Sequence, residues 1–389
     1  MHRWLILGLV VILLASSITV AIFLFKPVSQ DEYSLYSHDP FYVSISADGN
    51  YILARYRASD GFVQLFSQGD NSPLWTALYP TSWIESSSIS DNGEYIAVGA
   101  REAFYLLRRG SNEPLWTFYP TNALKTALIS SDGNYLVSAD YDKLNFFSRT
   151  SNVPIWSCDG YYQSVSISSD GSSLAVGGDG NTYLFGKDDN TPLWSYSSEM
   201  SVSISSDGNY IAASGGGPIY LFTKTSSVPV WSYSSFSAER FVRKTAISSD
   251  GNYVAATFGE YIISSGERGK EYLYVFNREN GQLLWSSTLD ATSSATLLAI
   301  TSNGDHIVAG DSNKLRIFSR TDNTPLWSYE FSEHEEASSV AMSSDGNYIA
   351  VGTEGGPAPN IGGSIYLFSK DSSQPLWVYN HEVEPYGYG

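Results

Sequence analysis

Apolar and polar positions alternate over short stretches between Phe41 and Asn380, and the stretches themselves recur. Each unit opens with a large apolar residue (Ile45, Ile89, Ile129, Ile167, Ile204, Ile247, Ile300 or Met342) preceded by a small one such as Ser44, Ser203 or Ala246, with Leu128 the exception. Such alternation has period two and predicts a strand. An Asp-Gly pair, or Asn92-Gly93 in its place, leads to a second strand of the type Tyr95-Ile96-Ala97-Val98. A third follows, of the type Ile219-Tyr220-Leu221-Phe222, and then a fourth around a tryptophan. Eight glycines mark the units: Gly49, Gly93, Gly133, Gly171, Gly208, Gly251, Gly304 and Gly346. Eight tryptophans keep step with them: Trp75, Trp116, Trp156, Trp194, Trp231, Trp285, Trp327 and Trp377. A period near forty with four short strands in it predicts propeller blades. The fold class is therefore all-β, an eight-bladed β-propeller of four-stranded antiparallel blades over residues 41–389.

Aligning the units gives most of their residues a place. The Asp-Gly pair predicts a hairpin turn whose two central positions take positive φ. Two positions after the glycine the chain has Tyr in six units, and Ser173 and His306 in the others, so His306 is read as a tyrosine substitute. Four residues before the tryptophan stand Asn71, Asn112, Asn152, Asn190, Ser227, Gly281, Asn323 and Ser373, predicting positive φ there too. Pro stands two before the tryptophan in every unit but one, where Leu283 replaces it, which suits an outermost strand. Two residues after the tryptophan come Ala77, Phe118, Cys158, Tyr196, Tyr233, Ser287, Tyr329 and Tyr379, so the lone Cys158 is read as a packing residue.

The N-terminus carries a different pattern. Trp4 to Phe25 is an uncharged run that as a helix would extend about 33 Å, enough to cross a bilayer core. It continues into Lys26-Pro27 with no small-residue cleavage pattern. Residues 1–26 are expected to be a transmembrane signal-anchor, with the N-terminus cytoplasmic and the propeller extracytoplasmic at the cell membrane. Residues 27–40 are read as a linker. Within it Tyr33-Ser34-Leu35-Tyr36-Ser37 resembles a fourth strand and could close the ring. With 40 acidic against 22 basic residues and a net charge of −18, the chain lacks the basic stripe that nucleic acid requires.

In an antiparallel four-stranded blade, the first-to-second and third-to-fourth turns share one face of the disc. The second-to-third turns and blade links share the other, which carries the sequence variation, including insertions at Phe258–Lys270 and Thr353–Gly363. That face is predicted to hold Arg55, Arg57, Trp83, Arg101, Tyr161, Tyr162, Arg240, Arg243, Lys244, Arg268 and Lys270 as a partner-binding set, since Arg and aromatic residues are common interface anchors. The run Glu333-His334-Glu335-Glu336 is read as a solvated loop, because consecutive residues rarely converge on one ion. His2, His38, His306, His334 and His381 have no ligand spacing, and no nucleophile elbow or phosphate loop occurs.

The stretch Val275-Phe276-Asn277-Arg278-Glu279-Asn280-Gly281-Gln282-Leu283-Leu284-Trp285 resembles the tryptophan-docking repeat of quinoprotein-type (PQQ-like) eight-bladed propellers. The Ser-Asp-Gly-Asn-Tyr-Ile-Ala stretches are similar to the Asp-Gly hairpin of WD-repeat proteins, without that family's Gly-His and Trp-Asp pairs. Vicinal cysteines, a feature of the quinone dehydrogenases, are absent. The resemblance thus implies a propeller of this superfamily without its cofactor: no cofactor, no metal and no catalytic residue is expected. The expected role is non-enzymatic binding or scaffolding of a protein or surface polymer. The alternatives are a quinoprotein-like redox enzyme and an envelope-assembly or sensor propeller.

Overall fold

The computed structural model describes residues 41–381 apart from 57–60, 80–81, 198–200, 216, 235–239, 263–266, 290–296, 312 and 356–361. The expected membrane anchor, the linker and its closing strand lie outside the described residues, among which no helix is long and apolar enough to cross a membrane. The described strands form eight four-stranded antiparallel sheets, each built from four consecutive strands. Blade 1 contains β1 (Phe41–Ile45), β2 (Tyr51–Tyr56), β3 (Gly61–Ser67) and β4 (Pro73–Tyr79); blade 2 contains β5 (Ile84–Ile89), β6 (Tyr95–Ala100), β7 (Ala103–Arg108) and β8 (Ser111–Phe118). The expected eight-bladed propeller is borne out.

What joins the blades is a polar contact inside an apolar seam. In every blade the indole N–H of the landmark tryptophan donates to a backbone carbonyl of the next blade. The acceptors are Arg109, Arg149, Lys187, Lys224, Arg278, Arg320 and Lys370, at 2.6–3.0 Å. Trp377 completes the series by donating to Gln68 of blade 1 at 2.9 Å. Ring closure thus joins two complete blades. The accepting residue is basic in seven cases, and five of these cations also lie over the preceding blade's tyrosine, such as Arg109 over Tyr51 at 4.6 Å and Arg149 over Tyr95 at 4.2 Å. That tyrosine packs under the next blade's landmark glycine: a Cβ at Gly93 would meet Tyr51 at 2.4 Å. His306 occupies the same place beneath Gly346, as expected of a tyrosine substitute.

Three local expectations are corrected. The Asp-Gly turns are four-residue turns closed by a glycine N–H, as from Gly49 to the Ser46 carbonyl at 2.9 Å; only the glycine has positive φ, 65–75° in the eight units. The two-residue form loses because Ser46 Oγ reaches forward to accept from Tyr51 N and donates to Asp48 Oδ1, stabilising the wider loop. The asparagines before the tryptophans do not take positive φ; Gly281 alone does at that position. Asn71, Asn112, Asn152, Asn190 and Asn323 instead donate Nδ2–H to a carbonyl of the preceding blade at 2.7–3.1 Å. The blade 6 insertion forms longer strands, Tyr253–Ile262 and Glu267–Asn277, where a loop was expected.

Small residues on the inner strands have a specific task. An inner strand has one free edge, and its unpaired N–H groups need acceptors. Ser88, Ser166 and Ser203 accept from Ile129, Ile204 and Ile247 of the next blade at 2.9–3.2 Å. Around one mouth of the channel eight backbone bonds link turn to turn, from Ala47 N to Asp91 O and onward to Ser344 N to Ala47 O.

The turn aspartates make acid stability testable. Burial works against the ionised forms of Asp48, Asp170, Asp207 and Asp345, but hydrogen bonds from the turn serine and from the residue two positions on outweigh it and hold them below the ordinary 3.8. With the folded value below the unfolded one, they stabilise the fold fully above that pH, and the contribution is lost as pH falls through the depressed values. Asn92 and Asn303 accept the same bonds uncharged. Replacing the four aspartates by asparagine is therefore expected to preserve the turns and flatten the loss of stability below about pH 4, measured by urea unfolding as a function of pH.

Candidate functional site

The structure divides the predicted surface set. Arg55 on β2 is buried, stacks on Tyr42 at 3.9 Å and donates to the Ile84 carbonyl across the seam at 2.7 Å. Tyr162 is also buried; its hydroxyl donates to the Asp159 carbonyl at 3.1 Å and to Cys158 Sγ at 3.3 Å, and burial pushes its phenol up. Arg243 neutralises the buried carboxylate of Glu271 at 2.7 Å. These three serve the fold. Lys244 lies on the inner strand of blade 6, Arg240–Ile247, level with Ser164 and Ser201 of other blades; the residue is exposed, while desolvation of its ammonium group by the surrounding protein pushes its pKa down. Lys270 is exposed. Arg57, and the side chains of Arg240 and Arg268, lie outside the described residues.

The acidic run diverges. Glu333, His334 and Glu336 are exposed as expected, whereas Glu335 is buried beneath hydroxyl donors: Tyr366 at 2.8 Å, Ser332 at 2.9 Å and Thr353 at 3.3 Å. Among the described residues it belongs to no group that could hold a metal ion, and burial together with Glu335 pushes the Tyr366 phenol up.

What remains at the surface is an arc on blades 2 to 4. Arg101 follows β6 and its guanidinium lies 5.4 Å from the Trp83 ring, held by Glu85 at 3.3 Å. The Arg101 carbonyl accepts from Leu124 N at 2.9 Å, which places Lys125 beside it. Lys125 Nζ sits 3.9 Å from the Tyr141 ring and 4.4 Å from the Tyr161 ring, and donates to the Tyr161 hydroxyl at 2.9 Å. Lys125 and Tyr141 were missed by the sequence reading, because a single lysine at a strand start looks like any solvated cation. Only the distance between two blades identifies it as a shared cap.

Tyr161 is rigidly presented. Its amide donates to Asp179 Oδ2 at 2.9 Å, and Gly160 N donates to the Asp142 carbonyl at 2.8 Å. Asp179 has φ 48°, the one positive value at a non-glycine among the described residues, and with Gly180 it forms a tight two-residue turn. Strain of this kind persists where surrounding bonds over-determine it, and it often marks a working surface. Arg, Trp and Tyr, pre-packed with one exposed flank, suit an interface anchor more than a reaction centre.

Comparison with known proteins bears on the same question. The family model of the outer membrane protein assembly factor BamB matches residues 179–383, more than half of the chain. The chain belongs to the BamB family. The likeness to PQQ-like propellers drawn from the tryptophan repeat is thereby borne out. No curated protein matches the chain. The match to BamB begins at Asp179, so Trp83, Arg101, Lys125, Tyr141 and Tyr161 precede it, and only the turn that holds Tyr161 falls inside.

Burial separates the fold-serving cations from the surface ones. Arg316 and Asp311 form a buried pair at 3.2 Å, and Arg316→Ala would strand the carboxylate, at a cost of about 3 kcal/mol. Arg101→Ala removes a pair whose arginine is half-exposed, worth about 1 kcal/mol. Urea denaturation of the two variants is expected to show that order.

Proposed function

We propose that the protein is a membrane-anchored, non-enzymatic assembly or binding module, held outside the cytoplasmic membrane, which docks a protein partner on the variable face through the arc from Trp83 to Tyr161. The observation that carries this reading is the Tyr141–Lys125–Tyr161 cap beside the Arg101–Trp83 stack, fixed in place by Asp179. Rigid aromatic and guanidinium groups lose little side-chain entropy on binding, so their burial converts efficiently into affinity. The family's description as an outer membrane protein assembly factor supports a protein partner, and the uncharged run Trp4–Phe25 supports the tether. A redox role has no comparable observation in its favour.

A photo-cross-linking residue placed at Tyr141, which is 48% exposed, is expected to capture a partner in intact membranes, whereas one at Asn209 on the opposite face is not. Adding Arg101→Glu and Lys125→Glu should reduce capture at least tenfold while leaving the unfolding midpoint within a few degrees, in line with the loss of anchor contacts worth about 2 kcal/mol. Capture from Asn209, or capture at Tyr141 that ignores both charge reversals, would remove the arc from consideration.

A further inference from the structure

Between blades, the residue two after each tryptophan meets the third strand of the next blade. Tyr196 packs on Tyr220, Tyr233 on Tyr274 and Tyr329 on Tyr366, with ring centroids 5.2–5.8 Å apart. Three units have a small residue at this place. Cys158 is covered by the Tyr162 hydroxyl, and Ser287 belongs to the seam that houses the Arg316–Asp311 pair. At Ala77, which is buried, the ring contact comes from two residues further on: Tyr79 packs on Tyr105 at 4.9 Å, and a groove of about 500 Å³ remains beside them between β4 and the β7–β8 hairpin. That volume falls in the range of ligand sites.

The walls of the groove have one electrostatic sign. Tyr79, Tyr105 and Tyr119 line it together with Glu102 and Glu113, and among the described residues no lysine or arginine does. Among the described residues neither glutamate has an ion-pair partner, whereas nearby Glu85 and Glu94 are paired with arginines. Ser82, half-buried, also lines the groove, and among the described residues its Oγ has no hydrogen-bond partner. Burial, then Tyr105 and Glu113, push the Tyr79 phenol up, so it is a neutral hydroxyl beside the carboxylates. An anion would be repelled here, and an apolar group would leave these polar atoms unsatisfied. Aromatic faces flanked by unpaired carboxylates suit an organic cation. Leu78 and Tyr119, 70% and 74% exposed, add apolar surface for an aliphatic stem at the open side.

We propose that the groove between blades 1 and 2 binds a guanidinium or ammonium side chain of a basic segment on a partner polypeptide. The site adjoins the arc where Ser82 and Glu102 neighbour Trp83 and Arg101 in the chain, but it shares no lining residue with the arc and stands without it. Its origin is one substitution in the repeat: with Ala77 in the place of a ring, Tyr79 takes over the contact to Tyr105 and the groove is left beside them.

Calorimetric titration of the purified full chain with tri-arginine and with uncharged tri-citrulline tests this. Saturable binding of tri-arginine alone is expected, at least tenfold weaker in Glu102→Gln/Glu113→Gln. Ala77→Tyr, which restores the ring found in other blades, should block binding as well. The variant Asp188→Asn/Glu333→Gln removes two exposed charges elsewhere and should bind as wild type does. Equal weakening in both double variants would mean that the peptide merely follows the net charge of −18 and would overturn the proposal. So would the absence of saturable binding, and the glutamate pair decides the matter even if Ala77→Tyr does not fold.

Discussion

One hydrogen bond, from an indole N–H to the carbonyl of the following blade, sets the terms for the rest of the molecule. A half-buried indole donor must find an acceptor, and the acceptor always lies seven residues before the next blade's own tryptophan. Each blade therefore docks on its neighbour at a fixed height and angle, and eight such steps bring Trp377 to Gln68. Seven of these bonds join residues 30–47 apart in sequence, while the last joins residues 309 apart. Closing that longer loop costs roughly 2 kcal/mol more chain entropy. The last seam has additional contacts to offset it: Phe41, fully buried, packs on Tyr56, Phe62, Tyr379 and His381, and Gln64 donates to the Tyr379 hydroxyl.

The same repetition explains which chemistry is left over. Serines that might look like nucleophiles accept the free-edge amides of the next inner strand, and the turn aspartates accept bonds from their own serines. Basic residues near the third-to-fourth turns cover tyrosines of the preceding blade. Among the described residues, groups not claimed in this way include two sets where the repeat is broken: the rim of blades 2 to 4 and the Ala77 groove. The two have opposite character, one offering cations held over aromatic rings and the other carboxylates among them. Two surfaces of opposite sign on neighbouring blades would let a protein partner be fixed in orientation as well as position.

Much of the fold was legible because its signals are local and repeated eight times. Glycine, tyrosine and tryptophan at constant offsets specify turn, seam and joint, and His306 and Cys158 take their meaning from the same alignment. Apart from the Asp-Gly turns, the blade 6 hairpin and Tyr162, which local contacts decide, the failures share a cause, which is that the deciding partner is remote in sequence. Asn71 reads as a turn residue until its donor is seen to reach the Val378 carbonyl of the last blade. Arg55 and Arg243 read as surface cations until Ile84 and Glu271 are found against them. Lys125 gains significance only because blade 4 brings Tyr161 to it. The groove was invisible for the converse reason: Ala77 is unremarkable in sequence, and its effect is the space left in front of Tyr105.

Eight equivalent tryptophan joints hold the ring, and the last, from Trp377 to Gln68, closes it. Hydrogen exchange of the indole N–H groups, followed by NMR on the labelled full chain, tests this most directly. The eight landmark indoles are expected to exchange slowly and together, with Trp377 indistinguishable from Trp194, because opening any joint requires opening the ring. If Trp377 exchanged orders of magnitude faster than the other seven, the joints would not be equivalent and the bond from Trp377 to Gln68 would not be what closes the ring.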